Sequence, residues 1–185
     1  MVYYGYGVMG AAKTLNALKI VFDYETKGSK VILLSDSVLV KSRVGLEHKA
    51  FQYQNLTPDE FDEIYTETRP SAIIIDEVQF CPPDLLRHIV TKYGEGHLYC
   101  YGLYHTSSQG VFKNSEYLMA QADITQEFYS VCQYCDNLAT RHAVVIRDCD
   151  GYNKVVYDTT DTKREKAAYV SLCDKCFDAM HKIIL

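Results

Sequence analysis

The chain has 185 residues, of which 48% are hydrophobic and 23% charged, and its formal net charge is −5 at pH 7. These values fit one globular domain with a small appendage, and they argue against a broad nucleic-acid-binding surface. No apolar run approaches the ~20 residues that a membrane span needs, and the first residues lack the basic segment of a signal peptide. We therefore expect no membrane partner, no nucleic-acid partner and a cytoplasmic location, in the host cytoplasm if the protein is viral.

The first fourteen residues combine a β-prone run, a glycine-rich turn and a Lys-Thr pair. The stretch Gly7-Val-Met-Gly10-Ala-Ala12-Lys13-Thr14 follows the P-loop spacing G-x-x-x-x-G-K-[ST], except that Ala12 replaces the second glycine. In a P-loop the backbone N–H groups and the lysine hold phosphates, and the hydroxyl reaches Mg²⁺. If position 12 needs a positive φ, alanine costs about 1 kcal/mol there. The alternative is a plain strand–helix turn with a solvated Lys13.

The next part of the chain predicts an α/β arrangement. Glycine follows the first helical pattern, a short apolar run is typical of a strand buried on both faces, and Thr-Pro marks a helix start. A strand–loop–helix–strand order favours a parallel sheet. The predicted elements are a helix over 14–27, a strand over 30–35, a loop over 37–53 and a helix over 58–68.

A second strong signal is the run Ser71-Ala-Ile-Ile-Ile-Asp76-Glu77. Its apolar residues predict a buried strand that delivers two carboxylates at its C-terminal edge, where ligands bind in open parallel sheets. After a P-loop, Asp76 is the expected partner of Mg²⁺, and Glu77 is then available as a base. The alternative is that Asp76 only caps the next helix. The elements predicted beyond it are a helix over 83–93, strands over 97–103 and 127–131, and a short helix over 115–122.

The C-terminal part carries two CxxC pairs, Cys132/Cys135 and Cys173/Cys176. Four thiolates are the ligands of a closed tetrahedral Zn²⁺ site, although a redox CxxC or chance spacing is the alternative. We therefore predict a P-loop α/β domain over 1–130 and a small zinc-binding β domain over 131–185. The remaining three cysteines, Cys81, Cys100 and Cys149, are expected to be ordinary thiols.

In combination, these stretches resemble the type II thymidine kinases over nearly the whole chain. The matching motifs are Lys41-Ser-Arg-Val-Gly-Leu46, Asp76-Glu77-Val-Gln-Phe80, Cys100-Tyr-Gly-Leu103, Cys132-x-x-Cys135-x-x-x-Ala139-Thr140-Arg141 and Tyr169-Val-Ser-Leu-Cys173. The resemblance implies a P-loop domain, a zinc domain and a lasso loop that closes over the nucleoside. It also implies phosphoryl transfer from ATP, with Mg²⁺, to the 5′-hydroxyl of thymidine or deoxyuridine, in a homotetramer.

The resemblance also implies a role for individual residues. Lys13 would hold the β- and γ-phosphates, Thr14 and Asp76 would support Mg²⁺, and Glu77 would take the proton of the nucleoside 5′-hydroxyl. Arg43 would stabilise phosphate charge. Met9, Leu103 and Tyr169 would surround the nucleoside.

Three departures from the family pattern support a second hypothesis, a catalytically weakened homologue that serves as a binding or structural protein. Ala12 replaces the P-loop glycine, Ser107 and Ser108 stand where the family has an aromatic residue facing the base, and Lys163-Arg164-Glu165 replaces a glycine-containing lasso segment. A zinc-ribbon nucleic-acid binder is a third hypothesis, which the acidic charge disfavours. The chain nevertheless retains Lys13, Thr14, Asp76 and Glu77, which favours the kinase hypothesis.

Overall fold

The computed structural model describes residues 1–107, 110–147, 153–157 and 168–184. Five helices and two 3₁₀ turns, at Tyr53–Asn55 and Val78–Phe80, alternate with fourteen strands in this part of the chain. The helices are α1 (Lys13–Glu25), α2 (Pro58–Thr68), α3 (Pro83–Tyr93), α4 (Lys113–Gln121) and α5 (Asp174–Ala179). The strands are β1 (Val2–Gly7), β2 (Val31–Ser35), β3 (Leu39–Lys41), β4 (Glu47–Lys49), β5 (Phe51–Gln52), β6 (Ala72–Ile75), β7 (Leu98–Gly102), β8 (Ile124–Phe128), β9 (Ser130–Val131), β10 (Leu138–Ala139), β11 (Arg141–Arg147), β12 (Asn153–Tyr157), β13 (Ala168–Leu172) and β14 (His181–Ile184).

The main body is a six-stranded parallel sheet in the order β5-β2-β6-β7-β1-β8. The apolar run of β6 is buried on both faces: Ile73 and Ile75 pack toward α2, α3 and α4, and Ile74 packs toward α1. The predicted α/β class, a parallel sheet flanked by helices, is confirmed. Because strands β6 and β7 lie between β1 and β2, the first two strands are not neighbours.

The polar segment 37–53, predicted to be a loop, contains three short strands. Strands β3 and β4 form an antiparallel hairpin, and β5 pairs with β2 at the edge of the main sheet. The loop prediction is therefore wrong for 39–41, 47–49 and 51–52. These strands have two or three residues each, so their sequences carry too few alternating positions to reveal them.

An ionic cluster joins α2 to α3. Asp62 accepts hydrogen bonds from His88 Nε2 (2.8 Å), Lys92 Nζ (2.5 Å) and the Tyr93 hydroxyl (2.5 Å). Desolvation opposes ionisation of this carboxyl, but the three donors outweigh it and hold the pKa of Asp62 well below its usual value. The cluster therefore stabilises the packing of the two helices when Asp62 is charged.

A smaller module follows the main sheet. Strands β9 and β10 form a two-stranded antiparallel sheet, and a four-stranded sheet has the order β13-β11-β12-β14. Its core contains the buried side chains of Val170, Leu172 and Phe177 beside the cysteines of both CxxC pairs. The hydroxyl of Ser171, on β13, donates to the carbonyl of Met9, so this module contacts the loop that follows β1.

Candidate active site

The loop between β1 and α1 adopts the backbone that its glycines permit. At Gly7 a Cβ atom would lie 2.1 Å from the carbonyl oxygen of Phe128, so no larger residue fits there. Gly10 has φ of 77°, and Ala12 has φ of 61° and ψ of 20°, which is the left-handed region. The position that usually carries the second P-loop glycine therefore does need a positive φ, and Ala12 occupies it at an energetic cost.

Lys13 is folded back onto this loop. Its Nζ donates to the carbonyls of Gly7 (3.1 Å) and Val8 (2.8 Å), and only 8% of the residue is exposed. Burial lowers the pKa of Lys13, although the nearby Glu77 and Asp76 carboxylates oppose this shift. The alternative of a solvated lysine is wrong. A buried ammonium bonded to main-chain carbonyls can exchange these acceptors for phosphate oxygens.

Asp76 and Thr14 meet beneath the loop. The buried Asp76 carboxylate accepts hydrogen bonds from the Thr14 hydroxyl and from the backbone N–H of Glu77. Desolvation, together with the negative charge of Glu77, raises the pKa of Asp76 to about 7. The alternative role as a helix cap is wrong, because α3 begins at Pro83 with Pro82 before it. A hydroxyl and a carboxylate are hard oxygen ligands of the kind that Mg²⁺ prefers.

Glu77 is held in an unusual backbone conformation by two residues for which the sequence motifs gave no role. Its φ is 51°, and its carbonyl accepts a hydrogen bond from the fully buried Tyr53 hydroxyl (2.9 Å). Its carboxylate accepts a hydrogen bond from Gln79 Nε2 (2.7 Å), and Gln79 Oε1 accepts the N–H of Leu103 (3.0 Å). Gln79 therefore fixes the Glu77 carboxylate to the end of β7. The sequence signal for Gln79 is its place in the Asp-Glu-x-Gln-Phe motif, whereas Tyr53 belongs to none of the motifs.

A cleft of about 320 Å³ brings most of the predicted site residues together. An Nη atom of Arg43 approaches Gly10 so closely that an added Cβ would lie 3.0 Å from it. Asp76 and Tyr169 do not line the cleft: Asp76 is bonded to Thr14, which does line it, and Tyr169 lies on β13. The predicted site residues that line the cleft are Met9, Gly10, Ala12, Lys13, Thr14, Arg43, Glu77 and Leu103.

The four cysteines of the CxxC pairs lie together. All four sulfur atoms are within 4.8 Å of one another, and Cys135 Sγ is 3.6 Å from the Sγ atoms of Cys173 and Cys176. Tetrahedral ligation with Zn–S of about 2.3 Å places sulfurs about 3.8 Å apart, whereas a disulfide needs about 2.05 Å. The cluster formed by Cys132 and these three is thus compatible with zinc, which would supply a structural crosslink.

Three features singled out from the sequence lie outside the described residues: Ser108, Cys149 and the segment Lys163-Arg164-Glu165. The other two cysteines expected to be ordinary thiols, Cys81 and Cys100, are buried and form no disulfide. None of the helices in the described ranges is long and apolar enough to cross a membrane.

A glycine-rich loop that leads from an interior strand of a parallel sheet into a helix, beside a strand that ends in Asp-Glu, defines the P-loop class of α/β nucleotide-binding proteins. Within that class, the family model described as thymidine kinase matches residues 1–177, and the chain belongs to this family. It is accordingly a nucleoside kinase that uses ATP, as the resemblance predicted.

Curated relatives agree with this assignment. The chain is 31% identical over 187 residues to the thymidine kinase of Streptococcus thermophilus (strain CNRZ 1066), covering 94% of this chain and 91% of the relative. It is 29% identical over 184 residues to that of Streptococcus pyogenes serotype M28 (strain MGAS6180), covering 94% of each. The crystal structure of Pif1 helicase from Candida albicans has a TM-score of 0.47 at 12% identity, over 69% of this chain and 36% of that chain, which is too low to add to the assignment.

Proposed function

We propose that the chain transfers the γ-phosphate of ATP to the 5′-hydroxyl of thymidine or deoxyuridine, with Glu77 as the general base. The observation that carries this proposal is the common cleft of Lys13, Arg43 and Glu77 above the Thr14–Asp76 contact. Phosphoryl transfer needs little covalent help from a protein, so that positioning and charge supply most of the rate.

Each residue has a physical task in this proposal. Lys13 moves from the loop carbonyls onto the β- and γ-phosphates, and Arg43 neutralises charge that develops on the transferred group. Thr14 and Asp76 would hold Mg²⁺, which would offset phosphate charge when bound. Glu77 accepts the proton of the attacking hydroxyl, while its contact with Gln79 keeps the carboxylate aimed into the cleft.

Three further features belong to the proposal through the family resemblance. These are the homotetramer, the division into domains 1–130 and 131–185, and the packing of Met9, Leu103 and Tyr169 around the nucleoside. The Ser171–Met9 contact supports the last of them, because it brings β13, which carries Tyr169, against the P-loop.

The second candidate function is the weakened homologue, and the left-handed Ala12 favours it. Incubation of the protein with Mg-ATP and a panel of deoxynucleosides separates the two. The kinase proposal expects a 5′-monophosphate product that disappears in Lys13→Ala. Absence of any product from folded, zinc-loaded protein would overturn it. Tight Mg-ATP binding by calorimetry, lost in Lys13→Ala, would count against the weakened homologue.

A further inference from the structure

The 3₁₀ turn that follows Glu77 is held by a side chain from a helix that comes much later in the chain. Asn114 is the second residue of α4, and only 6% of it is exposed. Its side-chain nitrogen Nδ2 donates to the carbonyls of Val78 (3.0 Å), which begins the turn, and of Cys81 (2.7 Å), which directly follows it. An asparagine amide carries two N–H donors, so both are used here. One buried side chain therefore contacts both ends of the turn.

The backbone of Glu77 needs such support because its conformation is strained. Its φ of 51° and ψ of 42° lie in the left-handed region, which residues other than glycine occupy at an energetic cost. Such a conformation persists only where the surrounding contacts enforce it. The Tyr53 hydroxyl donates to the carbonyl of Glu77, and Asn114 donates to the next carbonyl, that of Val78. Two consecutive carbonyls, beginning at the strained residue, are thus fixed by buried side chains.

The two donors belong to separate elements, and neither of them reaches the cleft. Tyr53 lies in the 3₁₀ turn before α2, is fully buried and places its hydroxyl 2.9 Å from the carbonyl oxygen of Glu77. Asn114 lies in the first turn of α4. Neither side chain lines the cleft, whereas Glu77 does. Both donors therefore act on the backbone around Glu77 and not on a molecule bound in the cleft.

The first turn of α4 also contacts the end of β7. The fully buried Ser115 hydroxyl donates to the carbonyl of Leu103 (2.6 Å). The N–H of Leu103 donates to Gln79, which bonds in turn to the Glu77 carboxylate. At Gly102 a Cβ atom would lie 2.4 Å from Gln79 Oε1, so glycine is needed for this close approach. The first turn of α4 thus holds the backbone that follows both β6 and β7.

We propose that Tyr53 and Asn114 are positioning residues for phosphoryl transfer, because they hold the strained Glu77 backbone so that its carboxylate faces the cleft and accepts the proton of the attacking hydroxyl. This inference rests on the proposed function and extends it to two residues that belong to none of the sequence motifs. Displacement of a reacting group by about 1 Å, caused by a remote substitution, can cost about 10²-fold in rate. The kinetic effect of either residue should therefore depend on the presence of the Glu77 carboxylate.

The test uses two substitutions that remove hydrogen bonds and largely keep side-chain volume. Tyr53→Phe removes one hydroxyl, and Asn114→Leu removes both amide donors. Tyr93→Phe is the matched control, because the Tyr93 hydroxyl also donates to a single acceptor, Asp62, but lies at the C-terminal end of α3. Each substitution is made in the wild type and in Glu77→Gln. Steady-state kinetics with thymidine and Mg-ATP give kcat and both KM values, and thermal melting and zinc content establish that each variant is folded.

We expect Tyr53→Phe and Asn114→Leu to lower kcat by about 10- to 100-fold, while the KM values for thymidine and ATP change by less than about 3-fold. In Glu77→Gln, the same two substitutions should change kcat by less than about 3-fold, because no base remains to be positioned. Tyr93→Phe should lower the melting temperature and keep the wild-type kcat.

A folded Tyr53→Phe or Asn114→Leu variant with the wild-type kcat would overturn the inference for that residue and leave the kinase proposal intact. An equal loss of kcat in the wild-type and Glu77→Gln backgrounds would overturn it too, because the residue would then act elsewhere. If Glu77→Gln itself kept the wild-type kcat, the assignment of the base and this inference would both fail.

Crystal structures of the variants decide the outcome if the wild type phosphorylates no nucleoside. Loss of the left-handed φ at Glu77, or of its contact with Gln79, in Tyr53→Phe and Asn114→Leu but not in Tyr93→Phe would support the positioning role although the kinase proposal fails. An unchanged Glu77 in both variants would overturn the positioning role as well.

Discussion

Replacing Ala12 with glycine should stabilise the protein. Ala12 has φ of 61° and ψ of 20°, and an L-residue in this region costs about 1–2 kcal/mol relative to a right-handed conformation. Glycine avoids that cost but loses about 0.5–1 kcal/mol through the larger entropy of its unfolded state. The Ala12 methyl group is exposed, so no packing is lost. The net expected gain is about 0.5–1 kcal/mol.

For a chain of this size, that gain corresponds to a rise in Tm of about 1–4 °C. Calorimetric melting of the wild type and Ala12→Gly measures it. Ala11→Gly is the matched control, because Ala11 is 2% exposed and lacks a positive φ, so this variant should lose about 1 kcal/mol. If Ala12→Gly melted at or below the wild-type temperature while Ala11→Gly was destabilised, the strain argument would be refuted.

Three further predictions concern the acids and the metal. Glu77→Gln should lower kcat by about 10²–10⁴-fold with little change in KM, because the amide cannot accept a proton. If steady-state kinetics showed a change in KM alone, the role of Glu77 as the base would be contradicted. Asp62→Asn should lower the free energy of unfolding by about 1 kcal/mol at pH 7. This difference should shrink as the pH falls below about 4, because a carboxyl group with a depressed pKa stabilises fully above its unfolded-state pKa and loses that stabilisation as the pH falls toward its folded-state pKa. Urea titrations check it, and a difference that did not vary with pH would speak against the ionic cluster. A strong chelator should release one zinc per chain and disorder the region from Cys132 onward, while Mg-ATP binding should survive. If elemental analysis found no zinc, and if Cys132 and Cys176 were freely alkylated in the native protein, the zinc assignment would be refuted.

The parts of the site that came from local spacing could be predicted from the sequence. Lys13 and Thr14 follow a glycine-rich turn at fixed intervals, and Asp76 and Glu77 end a run of apolar residues that only a fully buried strand explains. In both cases the chemistry and the structural element are adjacent in the chain. One local sequence pattern therefore predicts both the reactive residues and the structural element that positions them.

The supporting residues could not be predicted, since their role depends on contacts between distant parts of the chain. Tyr53 lies 24 positions before the carbonyl that it holds. Gln79 belongs to the Asp-Glu-x-Gln-Phe motif, but the motif does not reveal its contact with Leu103, which lies 24 positions further along the chain. The short strand β5 is likewise fixed by its neighbour β2, because two residues carry no periodic signal of their own.

The order of strands also has a consequence for synthesis of the protein on the ribosome. Strand β1 is made first, but its partners are Leu98–Gly102 and Ile124–Phe128. At about 5–20 residues per second, roughly 6–25 s pass before both partners have been made. Strands β2 and β6 can pair earlier because fewer residues separate them. A nascent chain that stops before residue 98 therefore contains every residue of the phosphate-binding loop, yet has neither of the strands that hold this loop in place.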